Sequence, residues 1–218
     1  MRYPSKPSKT YLFQLSIPIF FSNLALPLVG LVDTALMGHL GSVKFLAATS
    51  VGTSVITMIF WSFGFLRMGT VGLVAQALGR GDYREIVMTT IRNLCIALII
   101  GFFIFFLKNP IISVVNSFFN ASDEVHLLIN KYISIRALAA PAELSLYVIT
   151  GLFLGLQMTK TSSFMIIFFC STNILLSIYF VKNLNLDIYG VALGTTLSAY
   201  LTYFIFLSYA YYFIKKKF

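Results

Sequence analysis

The chain has 218 residues, of which 58% are hydrophobic and only 11% are charged. Soluble domains carry roughly 25% charged residues, so this composition excludes an ordinary soluble globular protein. A formal net charge of +9 would suit a nucleic-acid partner, but the basic residues flank apolar runs instead of forming a basic and aromatic surface. We therefore expect the lipid bilayer as the surroundings and no nucleic-acid partner.

Several apolar runs reach the ~20 residues that a helix needs to cross a bilayer. The sequence predicts an all-α integral membrane protein with six transmembrane helices, which span residues 11–37, 46–78, 88–107, 121–157, 161–181 and 188–214. Residues 1–10 then form a cytoplasmic N-terminal segment, and residues 215–218 form a basic cytoplasmic C-terminus. The connections are short, so we expect no separate soluble domain.

The charged residues of the connections predict the orientation. One side of the membrane collects Arg2, Lys6, Lys9, Arg80, Arg84, Lys160, Lys215, Lys216 and Lys217. The other side collects Lys44, Lys108 and Lys182 together with Asp123, Glu124 and Asp187. Since positive residues concentrate on the cytoplasmic side, both termini are predicted to be cytoplasmic, which agrees with an even number of spans.

The first predicted helix carries a single acid, Asp33, within an otherwise apolar run. An intramembrane charge is costly, so it needs a partner, a proton or a function. At 100° per residue, one broad face collects Asn23, Pro27, Gly30, Asp33, Thr34 and Met37. We predict that this face points into the helix bundle and that the helix bends at Pro18 and Pro27, because each proline removes a backbone hydrogen bond.

Polar residues also occur in the last two predicted helices. Asn173 and Ser177 are four residues apart and share a helix face, while Thr195, Thr196 and Ser198 offer hydroxyl groups on the next helix. Two interpretations remain open at this point. The groups either form interhelical hydrogen bonds, which contribute of order 0.6 kcal/mol each, or line a functional cavity.

Among the other charged residues within predicted spans, three are candidates for a cavity: Arg67, Arg136 and Glu143. Arg67 either contacts a carboxylate or a substrate, or it snorkels or locks backbone carbonyls between helices. Arg136 and Glu143 are seven residues apart on one face, whereas direct pairs within a helix favour spacings of three or four, so each could pair elsewhere. Gly151 and Gly155 match the small-xxx-small pattern of close helix packing.

The sequence shows no motif for chemistry on a bound substrate. "LGRGD" lacks the GxxxxGK[ST] pattern of a phosphate loop, and neither a Cys/His metal spacing nor a nucleophile elbow is present. We predict that the chain is not an enzyme and uses no catalytic residue, cofactor or metal. Any energy input then comes from an ion gradient, for which a carboxylate away from water is suited because it can take up a proton on one side and release it on the other.

Five segments, in order along the chain, resemble the multidrug and toxic compound extrusion (MATE) family, and its DinF-like branch in particular. They are "LFQLSIPIFFSNLALPLVGLVDTALMGHLGS", "LRMGTVGLVAQALGRGD", "SIRALAAPAE", "GLFLGLQ" and "IYGVALGTTLS". The resemblance covers almost the whole chain and implies the N-terminal six-helix lobe of a transporter that has two such lobes.

The resemblance implies a secondary active transporter of the bacterial inner membrane, an antiporter driven by entry of protons or sodium ions that exports small organic, often cationic, compounds. Asp33 matches the acid implicated in cation coupling, and Asn173 matches a polar residue of the same site. Thr195 or its neighbour would supply the hydroxyl of the sixth helix. Pro18 matches a proline at which the first helix is thought to bend.

The sequence departs from the family pattern in two respects. The family usually has a second acid on the fifth helix, where this chain has Ser177, so the reduced negative charge favours a proton over sodium or indicates a lost function. The second lobe is absent, so a pathway needs another chain or a second copy of this one. The alternatives are a split or truncated lobe without transport of its own and, less favoured because only Arg67 and Arg136 are intramembrane cations, a flippase for lipid-linked precursors.

Overall fold

The computed structural model describes residues 9–40 and 42–217, and these residues form helices with no strand among them. The helices are α1 (Lys9–Gly38), α2 (Val43–Ser62), α3 (Phe65–Arg80), α4 (Tyr83–Phe106), α5 (Lys108–Phe118), α6 (Asp123–Leu138), α7 (Ala140–Gly155), α8 (Thr159–Ile178) and α9 (Asp187–Lys217). A π-helical turn, Tyr179–Asn183, extends α8. The predicted cytoplasmic residues Arg2 and Lys6 lie outside the described residues.

Among the described residues, five segments are long and apolar enough to cross a membrane, and a bent pair of helices taken as one span makes a sixth, which confirms the predicted fold class. Five are Ser16–Gly38, Val43–Arg80, Tyr83–Phe106, Thr159–Asn183 and Asp187–Lys216. The sixth is the pair formed by α6 and α7, which meet at an angle of 47°. The chain is therefore a multi-pass membrane protein.

Two of the six spans are broken, and the sequence explains the break between α6 and α7. Pro141 occupies the first turn of α7, where its missing N–H is tolerated but its ring disfavours continuation of the preceding helix. The amide of Ala139 donates to the carbonyl of Arg136 at 3.0 Å, which closes α6 in a tight turn. The other break separates α2 from α3 at residues 63–64.

Helix α5 was not anticipated from the sequence, which left residues 108–118 between two predicted spans. It joins α6 through a hydrogen bond between Nδ1 of His126 and Oδ1 of Asn116, 2.9 Å apart. A helix of 11 residues is too short to cross the bilayer. It therefore serves as a connection at the end of α4.

Helix α7 is the centre of the bundle, and 13 of its 16 residues are buried. It packs against α3, α4, α8 and α9, whereas α1 packs mainly on α8. The motif containing Gly151 gives the close packing that its spacing predicts. A Cβ atom at Gly151 would lie 2.8 Å from both the carbonyl oxygen of Arg67 and Cβ of Thr70, so only glycine lets α7 approach α3 this closely.

Candidate functional site

Asp33 lies on α1 at the point where this helix meets α8. Its side chain is half-buried, and its carboxylate interacts with the hydroxyl of Ser177 on α8 and electrostatically with Arg136 on α6. Oδ1 of Asp33 is buried and has no hydrogen-bond partner among residues 9–40 and 42–217. Asp33, the acid predicted to take part in cation coupling, is therefore directed into the bundle, although most of α1 is exposed.

The two polar residues of α8 that the sequence singled out are both fully buried. Neither the Asn173 amide nor the Ser177 hydroxyl has a hydrogen bond of ordinary geometry within the described part of the chain. The backbone of α9 also reaches this point, because a Cβ atom at Gly194 would lie 2.6 Å from Oγ of Ser177. Unsatisfied buried polar groups cost roughly 1–3 kcal/mol each, so the cluster opposes stability and indicates a functional constraint.

Thr195 adjoins Gly194 on α9 and is 8% exposed. Its hydroxyl donates to the carbonyl of Val191 at 3.0 Å, within the same helix. The hydroxyl oxygen can still accept a hydrogen bond or contact a cation. The structure thus brings Asp33 to Ser177 and places α9 against them, while the hydrogen bond of Thr195 is local.

Arg136 and Glu143 form a direct ion pair, although their spacing of seven residues disfavours a direct pair within one straight helix. Nη1 of Arg136 donates to Oε1 of Glu143 at 2.5 Å, and the two side chains are only 9% and 15% exposed. The sequence argument assumed one straight helix, but the break at Ala139 and the 47° bend change the geometry between these positions. The guanidinium also lies over the ring of Phe60, 5.8 Å from its centroid.

A second polar region is a cavity of about 650 Å³. Its polar lining comprises Asn23, Arg67, Glu143, Tyr147, Thr150 and Thr202. Apolar residues from α1, α7 and α8 complete its walls, and the exposed side chains of Trp61 and Met68 show that it is open on one side. We call this space the Arg67 cavity. A smaller cavity of about 360 Å³ adjoins it and extends towards Ser22 and Ser162.

Arg67 is a half-buried side chain in the wall of both cavities. Among the side chains that the structure describes, the Arg67 guanidinium has no ion-pair or hydrogen-bond partner, and it interacts electrostatically with Tyr147. The structure shows no ion pair between Arg67 and a carboxylate of the described residues, and the alternative roles of Arg67 remain predictions. A cation that faces a cavity without a partner is available to a ligand.

The predicted inward face of α1 is only partly correct. Met37 is buried, and Asn23 and Pro27 line the Arg67 cavity. Thr34 is exposed instead, and its hydroxyl donates to the carbonyl of Gly30 at 2.7 Å. The face therefore borders an open cavity for part of its length and is not a continuous interior surface.

Helix α1 is a continuous α-helix through both of its prolines, Pro18 and Pro27. A bend at either residue remains a prediction. Sequence reasoning also missed Tyr147, Thr150 and Thr202 as cavity residues. Other hydroxyl-bearing residues lie on the same two helices, and only the packing of α7 and α9 places these three at the cavity.

The sequence is similar to one protein family and to known members of it. The family model described as MatE matches residues 18–179. DNA damage-inducible protein F of Escherichia coli is 36% identical over 194 residues, which cover 89% of this chain and 42% of that protein. Multidrug export protein MepA of Staphylococcus haemolyticus is 23% identical over 199 residues, which cover 91% of this chain and 44% of that protein.

Among solved structures, the fold matches an outward-facing multidrug resistance MATE family transporter of the MOP superfamily with a TM-score of 0.85. The two are 24% identical, and the match covers 93% of this chain and 44% of the other. The chain thus spans less than half the length of the relatives that it matches.

Proposed function

The chain belongs to the MatE family, and on this premise we propose that it is the N-terminal lobe of a cation-coupled antiporter that exports drugs or other toxic organic compounds. It is a transporter component and not an enzyme. The description of the Staphylococcus haemolyticus relative as a multidrug export protein supports both the substrate class and the direction of transport.

The single observation that carries the coupling step is the cluster of Asp33, Asn173 and Ser177. Oδ1 of Asp33 and both polar atoms of the Asn173 amide lack hydrogen-bond partners among the described side chains, and the Ser177 hydroxyl interacts with the Asp33 carboxylate. Such a cluster is suited to a small ion that exchanges with water. With one carboxylate and a serine in place of a second acid, we assign a proton as the coupling ion, because one carboxylate offers too little negative charge and too few oxygen ligands for sodium.

Arg136 supplies a physical connection between this cluster and the Arg67 cavity. It interacts electrostatically with Asp33 and donates a hydrogen bond to Glu143, which lines the cavity. Protonation of Asp33 removes one of the two negative charges near Arg136. Arg136 then interacts with the charge of Glu143 alone. In this mechanism, coupling between the ion and the exported compound passes through Arg136, and α1 bends at Pro18 as the pathway opens.

The open side of the Arg67 cavity, at Trp61 and Met68, is where the proposal places the second lobe. A second lobe of the same kind would complete the pathway, since the chain spans 42% and 44% of its two sequence relatives. The assembly lies in a bacterial inner membrane with both termini in the cytoplasm. The distribution of basic residues supports this orientation.

The test is efflux of the cationic dye ethidium in everted membrane vesicles that contain only this chain. The wild type is compared with Asp33→Asn, and Asp123→Asn is the matched control because Asp123 is an exposed acid in the first turn of α6. We expect proton-driven dye movement in the wild type and the control, and none in Asp33→Asn. Equal activity of Asp33→Asn and the wild type would contradict the assigned coupling residue.

A second candidate is a split or truncated lobe that does not transport alone. The half-length match and Ser177 favour it. Absence of efflux in all three samples, with equal amounts of protein in the membrane, would support this candidate. Recovery of efflux on co-expression of six further MatE-type spans would then identify a split transporter.

A further inference from the structure

Arg67 lies within the candidate span Val43–Arg80 and lines a cavity. Thirteen residues separate it from Arg80 at the end of α3, which corresponds to about 20 Å along a helix. A cation inside a span is costly, and arginines inside membranes almost always pair or line a water-filled cavity.

The charges around the cavity leave Arg67 without compensation. Glu143 is the acid in the cavity wall, and its Oε1 atom accepts the hydrogen bond from Arg136. Asp33 also interacts with Arg136. The two nearby carboxylates are thus associated with one arginine, while the second arginine faces the cavity with no ion pair within residues 9–40 and 42–217.

The backbone at Arg67 packs closely against α7. The carbonyl of Arg67 packs on Gly151, where a Cβ atom would lie only 2.8 Å from it. Thr150, the neighbour of Gly151, lines the same cavity, and its hydroxyl donates to the carbonyl of Leu146 at 2.6 Å. The backbone of Arg67 therefore lies in a tightly packed pair of helices. The guanidinium retains its five N–H donors for a ligand.

From this geometry we propose that the Arg67 cavity binds the anionic group of an amphipathic organic compound, with Arg67 as the anchor and the apolar walls holding the hydrophobic body. The proposal rests on the proposed function and narrows its substrate class. It departs from the cationic compounds that the family resemblance implies. A carboxylate is the favoured group, because guanidinium binds it through two parallel hydrogen bonds.

The same chemistry could reach the cavity from two sources, a compound from the aqueous phase or an anionic lipid that enters at the open side. Trp61 provides a direct readout for either one. It is the only tryptophan in the 218-residue sequence, and it lines the Arg67 cavity. Its fluorescence therefore reports occupation of this cavity without a background from other tryptophans.

The experiment uses the full chain in nanodiscs of phosphatidylcholine and measures energy transfer from Trp61 to three probes with one ring system. The probes are 9-anthracenecarboxylate, neutral 9-anthracenecarboxamide and cationic 9-(aminomethyl)anthracene. We expect saturable transfer to the carboxylate with an affinity at least about tenfold higher than that of the other two probes. All three probes are compared on the wild-type chain. A carboxylate affinity equal to or below that of the amide would overturn the proposal.

Variants then test the anchor itself. Arg67→Gln should abolish the preference for the carboxylate, and Arg67→Lys should retain part of it. Arg84→Gln, which removes an exposed arginine of α4 that does not line the cavity, should bind the carboxylate as the wild type does. A preference that survives Arg67→Gln unchanged would also overturn the proposal.

The source of the anion follows from the lipid composition. If phosphatidylglycerol in the nanodiscs displaces 9-anthracenecarboxylate, the anion site is open to a lipid; if not, it is selective for compounds from water. Binding is measured without an ion gradient, so failure here is separable from failure of the proposed function. Dye efflux that depends on Asp33 without carboxylate binding would reject only the anion site, and the reverse result would reject only the antiport mechanism.

Discussion

Nη1 of Arg136 lies 2.5 Å from Oε1 of Glu143 although the two residues are seven apart in the sequence. Seven residues of a straight α-helix rise about 10 Å. The pair forms across the break at Ala139, where α6 and α7 meet at 47°. It therefore depends on the bend, and in turn it stabilises the bend between the ion cluster and the Arg67 cavity.

Removing one partner of this pair should be more damaging than removing both. We expect Glu143→Gln to lower the free energy of unfolding by about 3 kcal/mol, because Arg136 keeps its charge at a nearly buried position. The double substitution Arg136→Met with Glu143→Leu should recover at least half of that loss, since no unpaired charge remains. The measurement is equilibrium unfolding of the purified chain in mixed micelles.

Additive losses of unfolding free energy in the single and double variants would contradict this prediction. If the double variant loses as much as the single variants Arg136→Met and Glu143→Leu together, the pair contributes no coupling energy. Arg92→Gln is a suitable control, because Arg92 pairs with Glu85 at 3.4 Å and its side chain is 60% exposed. That exposed pair should contribute less than about 1 kcal/mol to the free energy of unfolding.

The six-span architecture could be predicted because membrane insertion depends on local properties that a sequence displays directly. Length and hydropathy identify a span without knowledge of its neighbours. The motif around Gly151 likewise indicated close packing, and the structure shows its partner to be the backbone at Arg67. In each case the signal lies within one helix and can be read without knowing the neighbouring helices.

Contacts that depend on how helices break and meet could not be predicted in this way. Spacing rules for a straight helix disfavoured the pair of Arg136 and Glu143, because Pro141 was not recognised as the origin of a break. Thr202 gave no sign of a cavity, since its position there follows from the packing of α9. Asp33 was identifiable because an acid in an apolar run is costly wherever the helix packs.

A methyl group at Gly151 should separate α7 from α3. A Cβ atom there would lie 2.8 Å from the Arg67 carbonyl and from Cβ of Thr70, so we expect Gly151→Ala to cost about 1–3 kcal/mol of stability. Gly72→Ala on α3 is the control, because no atom lies within 4 Å of its added Cβ. That change should be neutral or stabilise by up to about 1 kcal/mol. Equal destabilisation by both changes, measured by thermal unfolding in detergent, would contradict the assigned packing.

Replacing the buried amide of Asn173 should increase stability but abolish transport. Neither of its polar atoms has a partner within the described residues, so Asn173→Leu, which keeps the branched shape, should raise the free energy of unfolding by about 1 kcal/mol. Dye efflux should nevertheless be lost. Thr90→Val, at a buried threonine whose hydroxyl donates within its own helix at 2.8 Å, should change neither quantity appreciably. A less stable Asn173→Leu variant would indicate a structural role for the amide.

Adding an acid at Ser177 should create a sodium site where the wild type has one carboxylate. The Ser177 hydroxyl interacts with Asp33, so a carboxylate at this position would double the negative charge beside it. We expect Ser177→Asp to raise the unfolding temperature by about 2–4 °C in sodium chloride relative to choline chloride, which corresponds to roughly 1 kcal/mol of binding linkage. The wild type and Ser177→Asn should show no such difference.

The double substitution Asp33→Asn with Ser177→Asp tests whether both acids are needed, and it should lose the sodium effect. Each variant is compared with itself in the two salts, because Gly194 packs closely on Ser177 and a larger side chain there will lower the baseline stability. Sodium stabilisation of the wild type would contradict the assignment of a proton as the coupling ion. A sodium effect that persists without Asp33 would place the ion elsewhere in the bundle.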